Sequence, residues 1–120
     1  MQVDRQRMAS IKKKLGIASF YWGKIIRLEK KKNYRVSRVE ILPGQETPGG
    51  CINNEGTRRI SVVQGKGIVC IAGKEHSMSV GSSCAILKGW PFQISNEGPE
   101  NLIIIDILSA SFSSDSKNNE

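Results

Sequence analysis

Apolar residues in this chain come in short bursts separated by glycine, with no apolar spacing that would build a long helix. Between Arg58 and Asn96 the bursts are Ile60, Val62 and Val63, then Ile68, Val69 and Ile71, then Met78 and Val80, then Ala85 to Leu87. Gly65 and Gly67 bracket one turn, Gly73-Lys74 offers a two-residue hairpin loop, and Gly81 and Gly89 close the later strands. Turn signals arriving roughly every eight residues predict an all-β barrel or sandwich. Upstream, Ile25, Ile26 and Leu28 form the first arm of a hairpin, Lys30 to Asn33 its turn, and Tyr34 to Leu42 its second arm, which Pro43-Gly44 stops. Residues 45–57 are a loop. Asn101 to Leu108 (NLIIIDIL) is the strongest strand, and its nearly continuous apolar run predicts burial on both faces.

A chain of 120 residues makes one domain. Residues 1–19 read as a basic N-terminal arm, with a short helix starting at the Ser10 cap and ending at Gly16. From Ser109 the serine-rich sequence reads as a disordered polar tail, residues 109–120. No apolar run reaches the ~18 residues of a membrane span, and the polar start is not a secretory signal. A cytoplasmic protein without a membrane partner is expected.

Charge changes the picture only at one end. Residues 1–40 hold twelve Lys and Arg against three acids, and residues 41–120 hold six against eight. The basic character is therefore an N-terminal feature. The Lys12-Lys13-Lys14 run invites a nucleic-acid or anionic-surface role through residues 5–38, but no aromatic residues interleave these lysines to stack bases. A solvated arm is the simpler account, and nucleic acid is not expected as a partner. Cys51, Cys70 and Cys84 cannot all pair, and they read as buried free thiols in a reducing compartment. The single histidine, His76, is the only available partner for a nucleophilic cysteine.

The order Trp22-Gly23, Arg35-Val36-Ser37-Arg38-Val39, Leu42-Pro43-Gly44 and Val62-Val63-Gln64-Gly65-Lys66-Gly67 resembles the cupin domain. It is most similar to the cupin at the C-terminal end of type II mannose-6-phosphate isomerases, which are often fused to a GDP-mannose pyrophosphorylase. The resemblance covers residues 20–108 and implies a small cupin-type β-barrel, a double-stranded β-helix.

The family's first motif places a metal-binding glutamate where this chain has Arg58, ahead of Gly65. Its His-x-His pair would fall within Cys51 to Glu55, a stretch without histidine. The second motif opens at Gly81, has Leu87-Lys88-Gly89 in place of Pro-x-Gly, puts Phe92 in the histidine place, and closes at Asn96. The resemblance thus implies a retained frame with no metal and no other cofactor.

Strand alternation points Arg58 inward with Ile60 and Val62, and Phe92 inward with Ile94. The expected ligand site is then Arg58, Phe92, Trp90 at the rim, and Asn53 and Glu55 from the loop, with no catalytic residue. A guanidinium beside aromatic rings suits a sugar phosphate or other small anion. The alternative is a closed core in which Arg58 pairs with Glu55. The family resemblance further implies a homodimer formed through strands such as 101–108. Three functions follow: a non-catalytic sugar or sugar-phosphate binder, or accessory in polysaccharide-precursor metabolism; an isomerase with an atypical site around Cys51, Glu55 and Arg58; and the nucleic-acid or anionic-surface binder.

Overall fold

The computed structural model describes residues 16–110. The expected helix of the arm, and the polar tail from residue 111, lie outside them. The described residues form ten strands and no helix: β1 (Ile17–Phe20), β2 (Gly23–Lys30), β3 (Tyr34–Ile41), β4 (Cys51–Ile52), β5 (Thr57–Gln64), β6 (Lys66–Ile71), β7 (Lys74–Ser79), β8 (Ser83–Ile86), β9 (Pro91–Asn96) and β10 (Leu102–Ser109). Two antiparallel sheets result, one ordered β1-β2-β3-β10-β5-β8 and the other β4-β9-β6-β7. After β3 the chain passes repeatedly from one sheet to the other, so their inner faces enclose a single core.

The expected β2–β3 hairpin forms with Lys31–Asn33 as its loop, closed by the Lys31 amide donating to the Tyr34 carbonyl at 2.8 Å. The β6–β7 hairpin differs by one residue from expectation. Lys74 pairs with Ile71, so the loop is Ala72-Gly73, not Gly73-Lys74. Both loop residues are left-handed, with φ of 50° and 83°, as the turn that matches strand twist requires. Alanine tolerates that conformation poorly, so Ala72 is strained. Gly67, expected beside a turn, lies within β6. A Cβ there would stand 2.3 Å from the Ser95 carbonyl oxygen and 2.7 Å from Leu102 Cδ2, so only glycine lets β6 lie against β9 and β10.

Period-two alternation delivers the core. Val39 and Ile41, Ile60 and Val62, Val69 and Ile71, and Leu102 and Ile104 all face inward, joined by Met78, Ile86, Ile94 and Trp22. Trp22 stacks on Phe20 with ring centroids 5.0 Å apart. β10 is central, bonded to both β3 and β5. Burial on both of its faces holds only at its start: Ile103 is buried, whereas Ile107 is 39% exposed. β1 extends the larger sheet by pairing Ile17–Phe20 with Gly23–Ile26, so sheet structure starts ahead of residue 20.

Candidate functional site

One end of the barrel interior is polar, and register explains why. Arg35 and Ser37 continue the inward face of β3 beyond Val39, Arg58 continues that of β5 beyond Ile60, and Asp106 continues that of β10 beyond Ile104. Leu108 pairs across to both Arg35 and Arg58, and Asp106 to both Ser37 and Ile60. The two arginines therefore flank β10 on the same face. Glu55 enters from the loop between β4 and β5, and Phe92 from β9 of the smaller sheet.

Arg58 Nη1 donates to Asp106 Oδ2, and its Nε donates to Asn53 Oδ1 at 3.4 Å. The guanidinium carbon lies 5.3 Å from the centre of the Phe92 ring, within cation–π range. Arg35 Nη2 donates to Glu55 Oε1 at 2.9 Å, and Arg58 Nη2 lies 4.0 Å from the same oxygen. Two guanidiniums thus share one carboxylate, while a second carboxylate sits beneath them. The Asp106 side chain is only 9% exposed and that of Arg58 18%, but Glu55 is 45% exposed. Asp106 Oδ1 is buried without a hydrogen-bond partner. Burial lifts the Asp106 carboxyl above the usual carboxylate range, and the Arg58 and Arg35 charges offset part of that rise.

Asn53 is buried at 1% exposure and ties loops together. Its side-chain amide donates to the carbonyls of Gly56, Ile86 and Leu87, at 2.7, 2.9 and 3.1 Å. Its backbone amide donates to the Trp90 carbonyl at 3.0 Å, and its carbonyl accepts from Gly89 at 2.6 Å. The β4–β5 loop and the β8–β9 turn are fixed to each other through this one residue, whose side-chain oxygen also meets Arg58.

The structure therefore brings Arg58, Phe92, Asn53 and Glu55 together, with Arg58 and Phe92 facing inward as alternation required. Trp90 goes elsewhere. Its ring lines a cleft of about 400 Å³ with Ile71, Ala72, Lys74, His76, Cys84 and Ala85, a lining that includes neither Arg58 nor Phe92. Sequence reasoning missed two members of the polar cluster. Asp106 was visible as the lone acid in an apolar strand, and Arg35 as the residue in phase with Ser37, Val39 and Ile41.

All three cysteines are free, but only Cys70 and Cys84 are partly buried. Cys51, expected inside, is exposed because β4 is a two-residue edge strand. Burial raises the Cys84 thiol above its usual range, against a smaller lowering by Arg59.

Compared by sequence, the chain matches no family model and no curated protein. Solved structures match it strongly. The cupin domain of Schizosaccharomyces pombe Cnp3 superposes with a TM-score of 0.71 at 20% identity, over 83% of this chain and 72% of that one. A sugar phosphate isomerase of the cupin superfamily from Silicibacter pomeroyi gives 0.66 at 18%, over 75% and 60%. The capsular polysaccharide assembling protein CapF of Staphylococcus aureus gives 0.70 at 19%, over 83% of this chain. This chain spans only 29% of CapF. The fold is that of the cupins.

Cupin chemistry commonly uses a metal held by imidazoles and a carboxylate. The residues of the polar cluster do not fit one. Arg58 points its charge into the barrel, Phe92 offers only a hydrocarbon ring, and Asp106 is already engaged by Arg58. A divalent ion about 4 Å from a guanidinium would be opposed by on the order of several kcal/mol. Among the described residues, no group of three or more His, Cys, Asp or Glu side chains is placed to hold a metal. No helix of the described residues is long and apolar enough to cross a membrane.

Proposed function

We propose that this chain is a metal-free, non-catalytic cupin, related to type II mannose-6-phosphate isomerases, that binds a sugar phosphate in polysaccharide-precursor metabolism. The observation carrying this reading is the sharing of Glu55 by Arg35 and Arg58. Glu55 is a half-exposed internal anion seated where a phosphate would sit. Its exposed pairing is worth only about 0–1 kcal/mol, so a dianionic phosphate displaces it and meets two guanidiniums bidentately. The Phe92 ring then supplies an apolar surface for the sugar. The fold likeness to a sugar phosphate isomerase and to a capsular polysaccharide assembling protein agrees with a carbohydrate ligand. Homodimerisation through the outer face of β10, where Ile107 is exposed, belongs to the same proposal.

Calorimetric titration with mannose 6-phosphate tests it. Glu55→Gln should tighten binding several-fold, and Arg35→Met should abolish it. Metal analysis with an isomerisation assay runs alongside. Stoichiometric metal with turnover of mannose 6-phosphate, or binding unaffected by both variants, would overturn the proposal.

A further inference from the structure

The cleft beside Trp90 is a second feature, independent of the polar cluster. It opens between β7, at one edge of the smaller sheet, and β8, at one edge of the larger one. Its floor is continuous with the core. Ile71 is buried, and Cys84, paired across to Ile60, packs against the core cluster. The thiol, held protonated by burial, is an apolar wall here and not a nucleophile.

Alternation sets the charge of the rim. Lys74, His76 and Met78 share one face of β7, and Met78 is buried. Lys74 and His76 pair across to Ile71 and Val69, both core residues, so they stand over the cleft. Glu75 falls on the opposite face, and no acidic side chain lines the cleft. The walls are anchored. The Trp90 backbone is hydrogen-bonded on both sides, its amide to Leu87 and its carbonyl to Asn53, while the Ala72 amide donates to the Pro91 carbonyl at 2.8 Å. The Trp90 backbone is thus held in place, and 39% of the residue's surface is open.

We propose that this seam is a binding site for a small anion with a flat apolar body, such as an aromatic carboxylate. The body would stack on Trp90 over Ile71 and Cys84, and the anionic head would meet Lys74 and His76. The volume lies within the range of small-molecule sites, and the anchored walls lower the cost of ordering on binding.

Titration of isotope-labelled protein with 1-naphthoate, followed by NMR, tests the assignment. Shift changes should concentrate at the Trp90 indole, Lys74, His76 and Ala85, leaving the Arg58 signals unmoved. The neutral analogue 1-naphthalenemethanol should bind roughly fivefold or more weakly. Trp90→Ala should cost about tenfold in affinity, and Lys74→Ala should bring the affinities of the two probes closer together. Shifts centred on Arg35 and Arg58, equal affinity for the neutral probe, or an unchanged affinity in Trp90→Ala would each overturn the proposal. So would concentration-dependent shifts along β7 without any ligand, which would show a second copy covering the seam.

Discussion

Removing Arg58 should destabilise the barrel far more than removing Arg58 and Asp106 together. In Arg58→Met the aliphatic stem is kept, but Asp106 Oδ2 loses its donor while Oδ1 already lacks one. A carboxylate only 9% exposed then stands unpaired, at a cost of about 3–5 kcal/mol. Asp106→Leu strands Arg58 less severely, because Glu55 and Asn53 remain near it, and should cost about 1–2 kcal/mol. The double variant replaces a buried pair with apolar groups and should fall within about 1 kcal/mol of wild type. The coupling energy is therefore about 3–8 kcal/mol. For a domain of this size each kcal/mol moves Tm by about 4–8 °C, so Arg58→Met should melt at least ~12 °C lower. Urea titrations followed by the fluorescence of Trp22 and Trp90 give all four corners of the cycle. The reasoning fails if the two single effects add within about 0.5 kcal/mol, or if Arg58→Met costs less than about 1 kcal/mol at neutral pH.

Four smaller expectations rest on other parts of the structure. Because the folded chain holds the Asp106 proton more tightly than the unfolded chain, stability should fall as pH rises from about 4 through the raised folded value, a slope that Asp106→Asn removes in pH-dependent melts. Ala72→Asn should stabilise by about 0.5–1 kcal/mol in thermal unfolding, since Asn-Gly suits two left-handed residues. Gly67→Ala should cost about 3 kcal/mol or more, or prevent folding, because its new methyl meets the Ser95 backbone; circular dichroism reads this directly. Asn53→Ala should cost about 2–3 kcal/mol and raise amide exchange in residues 51–56 and 87–90 together, because both segments lose the same tether.

The alternating stretches carried most of the fold. Ile60 and Val62, or Phe92 and Ile94, announce their face by period two, and that rule alone pointed Arg58 inward. Positions set by long-range pairing were less legible. The partner of Arg58 lies in β10, and only the β10–β5 register brings it close, so the nearer Glu55 looked like the natural counter-ion. Trp90 belongs to a turn, where period two gives no direction, and hydrogen bonds from Asn53 decide how it is presented. The hairpin at Ala72-Gly73 slipped by one residue because alanine carries no turn signal of its own. Asn53 looks like a solvent-facing loop residue until its three carbonyl acceptors are in place.

The position of β10 has a consequence for how this chain is made. Among the described residues, the strand latest in chain order is a middle plank of the larger sheet, gripping β3 on one side and β5 on the other. Until it emerges, both of those strands present raw edges, and Ile41, Ile60 and Val62 lack the strand that covers them. Nascent chains stalled before residue 102 should therefore be protease-sensitive and drawn to chaperones, whereas release of the final ten or so described residues lets the barrel close in one cooperative event.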